Sequence, residues 1–240
     1  MNIHTIGGNK GFTIIEILIT SIIIAILSSI ILPVLFAVKQ KSQQIVCSNN
    51  LRQLFLAIEQ YTNDNNGLLP RTNNSDKSRD DTKDCYTEVW FKAVDHYLIS
   101  SSLPDTREEI SLEERVLLVK QDPIFKNISP SDRSKTRTIK MNRNLIPDSE
   151  CQRYIETIAY PTKTVLLFDG RINNKGVADN FDGTSGSVAQ RHLKAANILF
   201  ADGHVECIQN GDSDGTTDEG WPNRQAGQGL IWDPDNPDLP

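Results

Sequence analysis

None of the four cysteines, Cys47, Cys85, Cys151 and Cys207, forms a C-x-x-C pair. The close ligand spacing of a zinc finger is therefore missing, which argues against a zinc site. If the soluble part lies outside the cytoplasm, one or two disulfides can form, and three complete pairings stay open. The chain contains no G-x-S-x-G, no H-E-x-x-H and no P-loop, so the common hydrolase, metalloprotease and nucleotide-binding signatures are absent. It also lacks a basic surplus. The formal charge is −6, and because residues 1–50 contribute +2, the remainder carries −8. Nucleic-acid binding wants a basic face to neutralise phosphates, so it is disfavoured as a general role. One stretch runs against the trend: "RSKTRTIKMNR", residues 133–143, holds five basic residues and reads as a solvated strand face.

The most informative absence is of charge between Phe12 and Val38, where Glu16 is the only charged side chain. Ten of the residues from Ile14 to Ile31 are isoleucine. Roughly 20 apolar residues span a bilayer as a helix, and a signal peptide's apolar region, of about 7–15, is too short a template. Beyond the run, Cys47, Leu51, Leu54, Phe55, Ile58 and Tyr61 recur at helical spacing. Together they predict one helix from about Phe12 to Tyr61, with a kink at Pro33, where a backbone donor is lost.

"TNDNNGLLP" should stop that helix, and residues 71–84 contain no apolar residue and read as an exposed loop. "YTEVWFKAVDHYL" and "DTREEISLEERVLLVK" predict two further helices, the second ending at Lys120 as the helix dipole prefers. "KTVLLFDG" predicts a strand. "ANILFADGHVECI" predicts a hairpin around Asp202-Gly203. The tail from Asn210 offers Trp221 and Trp232 as anchors to the core.

Glu16 needs an explanation, because a carboxylate at bilayer depth costs several kcal/mol unless something pairs with it. The stretch "KGFTIIE", residues 10–16, resembles the processing signal of type IV pilins and of type II secretion pseudopilins. The resemblance implies that a prepilin peptidase cuts after Gly11 and methylates the new terminal amine on Phe12. Glu16, the fifth residue of the mature chain, would then pair with that amine on its own or a neighbouring subunit as an assembly signal. Pro33 also falls where pilins of this type commonly bend their helix.

Two more segments carry the likeness. "CSNNLRQLFLAIEQYTNDNNGLLP", residues 47–70, is similar to a segment in a large bacterial set of pilin-like proteins with a C-N-L-x-Q-type motif and a D-N-x-G-x-x-P end. That set also carries a C-terminal signature of His, nine residues, Asp-Gly, matched here by His192, Asp202 and Gly203. Residues 71–160 match nothing recognisable. His192 and His204 flank the predicted hairpin with Asp202 between them, and the simpler reading is that Asp-Gly makes the turn while His192 packs or hydrogen-bonds against the hairpin. In "GDSDGTTDEG", Asp212, Asp214 and Asp218 resemble hard-oxygen ligands of a calcium site. Pseudopilins of the major type use calcium near this end of the sheet, although the EF-hand pattern is not met.

The expected fold is thus α+β and pilin-like, a long kinked N-terminal transmembrane helix packed on an antiparallel sheet. Its expected parts are a leader, 1–11; a membrane half-helix, 12–38; an amphipathic half-helix, 39–63; and a globular domain, 64–240. The resemblance implies a non-enzymatic filament subunit, with a low-copy minor pilin or surface binding module as the alternative. It further implies a single pass through a bacterial inner membrane, a periplasmic domain, and later a pseudopilus or surface filament. Prepilin peptidase, membrane lipid, copies of itself or related pseudopilins and an inner-membrane assembly platform are the implied partners. No cofactor is expected beyond calcium.

Overall fold

The structure, a computed structural model, describes residues 13–72, 89–100, 111–125, 136–146, 153–172, 181–209 and 230–235. The chain divides into two compact units, Met1–Gln40 and Lys41–Pro240. Helix α1, Ile14–Asp64, is 51 residues long, about 76 Å at 1.5 Å per residue. Its first part is apolar on every side, with Ile14 to Val38 exposed throughout at the large hydrophobic positions. That pattern suits lipid or packing against other helices and not water. Helical structure continues through Pro33, where the Ser29 carbonyl loses its backbone donor.

In the second unit one face of α1 is buried: Cys47, Asn50, Leu51, Leu54, Ala57, Ile58 and Tyr61. These are spaced at three and four residues, so they line one stripe. The helix stops as its sequence predicts. Asn66 and Gly67 both take positive φ, and the Gly67 N–H closes on the Thr62 carbonyl at 2.7 Å, satisfying a carbonyl the helix leaves open.

The sheet has the order β3-β1-β2-β4-β5, with β1 Ile139–Asn142, β2 Val165–Asp169, β3 Asp182–Gly183, β4 Ala195–Phe200 and β5 Val205–Gln209. Neighbours pair antiparallel except β1 with β3, a two-residue parallel contact at the edge. The fold is α+β, a long apolar N-terminal helix followed by a mostly antiparallel sheet, as the sequence led us to expect. One face of the sheet packs Ile139, Met141, Leu167 and Leu199 against Leu51, Leu54 and Ile58 of α1. Each such side chain contributes about 1.5–3 kcal/mol by burial. The other face carries Val165, Phe168, Ile198, Phe200 and Ile208 under Trp232. Trp232 meets Phe168 edge-on at 5.1 Å; Trp221 lies outside the described residues. A bulge in β2 between Val165 and Leu167 turns Leu166 and Leu167 both toward the helix side, breaking strict alternation.

Two expectations need correction. The first predicted helix divides at Val94 into α2, Trp90–Ala93, and α3, Asp95–Ser100; the second is present as α4, Leu112–Val119, with residues 105–110 of its predicted stretch outside the described residues. It opens on a cap invisible to apolar periodicity: the Ser111 hydroxyl accepts the Glu114 N–H at 3.3 Å. Within the basic stretch at 133–143, residues 137–142 are also not a solvated face, while 133–135 lie outside the described residues. Arg137, Thr138, Lys140 and Asn142 are buried. The Arg137 guanidinium lies 4.2 Å from the Phe91 ring and 4.8 Å from Phe181, while Arg143 pairs with Asp182 at 2.8 Å. The strand is interior to the sheet, and the arginines that flank it direct their charges to rings and a carboxylate.

Candidate functional site

Gly11 and Phe12 lie outside the described residues. Thr13 and Glu16 open α1 with a reciprocal arrangement. Glu16 Oε2 accepts the Thr13 backbone N–H and its hydroxyl, both at 2.9 Å, and the Glu16 N–H donates to Thr13 Oγ1 at 3.3 Å. This is a capping box, T-x-x-E. Glu16 therefore has a local partner that our reading of the sequence did not consider, and the carboxylate sits at the positive end of the helix dipole.

A second polar assembly is buried in the Lys41–Pro240 unit. Cys47 projects from α1, Asp122 follows α4, Asp169 ends β2, and Arg191 and His192 precede β4. Cys47 Sγ donates to Asp169 Oδ1 at 3.1 Å. Asp169 sits opposite Asn197 across the β2–β4 ladder, and its Oδ2 accepts the Asn197 backbone N–H at 2.8 Å and the side-chain Nδ2 at 3.1 Å. Arg191 reaches Asp122 Oδ2 at 2.7 Å, the Gly170 carbonyl at 2.6 Å and the Thr138 carbonyl at 2.8 Å, with Asp169 3.6 Å away. Asp122 Oδ1 also accepts the Ile124 N–H at 2.9 Å. Three residues along α1 from Cys47, Asn50 donates to the Leu118 and Gln121 carbonyls at the end of α4. One helical face thus holds both the apolar core and the polar cluster.

The two carboxyls respond differently to this environment. Burial pushes Asp122 up, but His192 and the Arg191 guanidinium outweigh it and hold the group at about 2. Burial wins at Asp169, which is raised despite Arg191. The Cys47 thiol is raised well above its usual value by burial, then by the two neighbouring carboxylates. Such opposing pulls of burial and neighbouring charge are what a crowded low-dielectric site produces.

His192 hydrogen-bonds against the hairpin as expected, through Ala195 at the start of β4, and its ring belongs to this cluster, at the end of β4 away from the Asp202-Gly203 turn. It begins a tight turn, with reciprocal 3.0 Å bonds between His192 and Ala195, and Leu193 and Lys194 both at positive φ. The nine residues between His192 and Asp202 are that two-residue turn, the six-residue β4, and Ala201. Their spacing is thus the length of one strand with its entry turn. Left-handed backbone at two non-glycine residues is strained. Replacing Leu193-Lys194 by Asn-Gly, the pair this turn prefers, should stabilise the domain by about 1 kcal/mol. Thermal melting that falls or stays unchanged would contradict the strain.

At the far end of β4 the hairpin turn closes with the Gly203 N–H on the Phe200 carbonyl, 3.0 Å. Asp202 Oδ1 accepts the His204 N–H at 3.2 Å and meets its Nδ1 at 2.6 Å. Asp202 and His204 therefore form a local pair at the surface, and the structure does not bring them to His192. Among the described cysteines, Cys47 and Cys207 are free thiols. Asp212, Asp214 and Asp218 lie outside the described residues. Sequence reading named Cys47 and His192 but missed Asp122, Asp169, Arg191 and Asn197. The one signal for them is Asp169, a carboxylate directly ending an apolar strand run.

Comparison with known families matches residues 7–32 to the model described as "Prokaryotic N-terminal methylation motif". No curated protein and no solved structure matches the chain. The chain therefore carries a prepilin-type motif, the mark of a type IV pilin-like or pseudopilin substrate of prepilin peptidase, leading into a long apolar helix that suits a membrane anchor.

Proposed function

We propose that this protein is a structural subunit of a pseudopilus or type IV pilus-like filament. It is cleaved after Gly11, methylated on Phe12, held in a bacterial inner membrane by the first part of α1 with its globular domain in the periplasm, and then passed by an assembly platform into the filament. Its role is mechanical, not catalytic. The observation that carries this reading is the methylation motif at 7–32 running directly into a helix whose large apolar side chains are exposed from Ile14 to Val38. Such a surface is stable only in lipid or against copies of itself. Mass spectrometry of the native protein tests the processing: the expected N-terminus is N-methylated Phe12, and a mature chain beginning at Met1 would refute it.

Glu16 permits a sharper test, because glutamine also serves at this position of a capping box. Glu16→Gln keeps the cap and removes the charge. We expect Glu16→Gln and Glu16→Ala both to insert and be cleaved normally and both to lose filament assembly, since pairing with the Phe12 amine needs a carboxylate. Wild-type filaments from Glu16→Gln would reduce the residue to a helix cap.

A further inference from the structure

We propose that Cys47, Asp122, Asp169 and His192 form a binding site for one divalent transition-metal ion, zinc by its donor set, which ties the soluble half of α1 to the sheet. Their four ligand atoms, one thiol sulfur, one imidazole nitrogen and two carboxylate oxygens, lie within 4.8 Å of one another and all four residues are buried. A tetrahedral zinc site with these ligands spaces its donor atoms about 3.3–3.6 Å apart. The contacts already present, Cys47 Sγ to Asp169 at 3.1 Å and His192 Nε2 to Asp122 and Asp169 at 3.1 and 3.5 Å, are close to that. The widest pair needs to close by about an ångström.

The independent observation is His192 Nε2. It is buried, directed at both carboxylates, and has no aligned hydrogen-bond partner. A buried ring nitrogen left so is costly, and a metal lone-pair acceptor between it and the two aspartates removes the cost. Charge agrees. On binding, the Cys47 S–H bond breaks, its proton leaves to solvent and a sulfur–metal bond forms. The thiolate, two carboxylates, the divalent cation and the Arg191 guanidinium then make a set with no net charge.

Outer contacts suited to ligand orientation are in place: Asn197 holds Asp169 Oδ2 from two donors, and the Ile124 N–H holds Asp122 Oδ1. Such partners set ligand direction and metal affinity. The ligands come from four well-separated parts of the chain, so no short spacing reveals them, and the lack of a C-x-x-C pair does not bear on this site.

The test uses the full chain in detergent micelles. Elemental analysis should find one zinc per chain after purification without chelator. Removing it should lower the melting temperature, and returning zinc at about 100-fold above Kd should restore about 5–10 °C. Substituted cobalt should show a thiolate charge-transfer band that is lost in Cys47→Ser and kept in Cys207→Ser, with the Cys47→Ser affinity lower by at least about 100-fold. Wild-type protein that binds neither zinc nor cobalt, melts identically with and without zinc, or keeps the band in Cys47→Ser overturns the proposal and leaves the cluster a metal-free charge network closed by Arg191. The wild-type melting comparison stands even where a variant fails to fold.

Discussion

Asp169→Ala is expected to destabilise the globular domain by about 3–5 kcal/mol, the range for removing one partner of a buried ion pair. The side chain is fully buried and accepts three hydrogen bonds, from Cys47 and twice from Asn197. Its loss leaves the Asn197 donors without their acceptor and takes one of two carboxylates from Arg191. Much of the cost is the charge left behind. The domain's thermal midpoint should therefore fall by about 6–20 °C, while the N-terminal processing proposed above, remote in sequence, should be unaffected. Asp169→Asn, which keeps the shape and removes the charge, should cost less than alanine but more than a surface change. A loss under about 1 kcal/mol for Asp169→Ala, the size of a surface ion pair, would show that the cluster contributes little to folding.

The second large effect is expected at Gly203. Its φ is +90°, and a Cβ there would lie 2.4 Å from Phe55 Cε1 of α1. Two penalties coincide. A left-handed position costs a residue other than glycine about 1–2 kcal/mol, and forcing atoms into a packed contact adds about 1–3 kcal/mol. Gly203→Val should thus cost about 2–5 kcal/mol, read from thermal or denaturant unfolding. Phe55→Ala in the same chain separates the terms, since it removes the clash and leaves the backbone strain. If Phe55→Ala rescues nothing, the turn does not press on the helix as this geometry requires.

The hairpin shows how far sequence reading reaches. Two apolar runs around the turn dipeptide Asp202-Gly203 predicted two strands and their turn, and β4 and β5 stand where that pattern places them. The same holds for the stop at Asn66-Gly67 and for the face of α1 that includes Leu51, Leu54 and Ile58. These are local consequences of side-chain period and of backbone freedom at glycine and asparagine. Reading failed where packing outweighed local pattern. Five basic residues between 133 and 143 looked solvated, yet Lys140 is buried because its strand lies inside the sheet between β3 and β2, and Arg137, just before that strand, is buried against the Phe91 and Phe181 rings.

By itself the sequence determined the apolar run, the prepilin-type motif, the presence of α1 with its stop near Asn66-Gly67, and the hairpin, since each depends on residues near one another along the chain. Only the tertiary structure decided the buried cluster. Cys47, Asp122, Asp169 and His192 are separated by 75, 47 and 23 residues in turn, and no periodicity connects them. They meet because one stripe of α1 packs on the face of the sheet formed by β1, β2 and β4, which sets Cys47 over the end of β2. There the strained turn before β4 delivers Arg191 and His192 to two carboxylates. Burial then converts ordinary polar residues into a site, because charges withdrawn from water must be satisfied by one another.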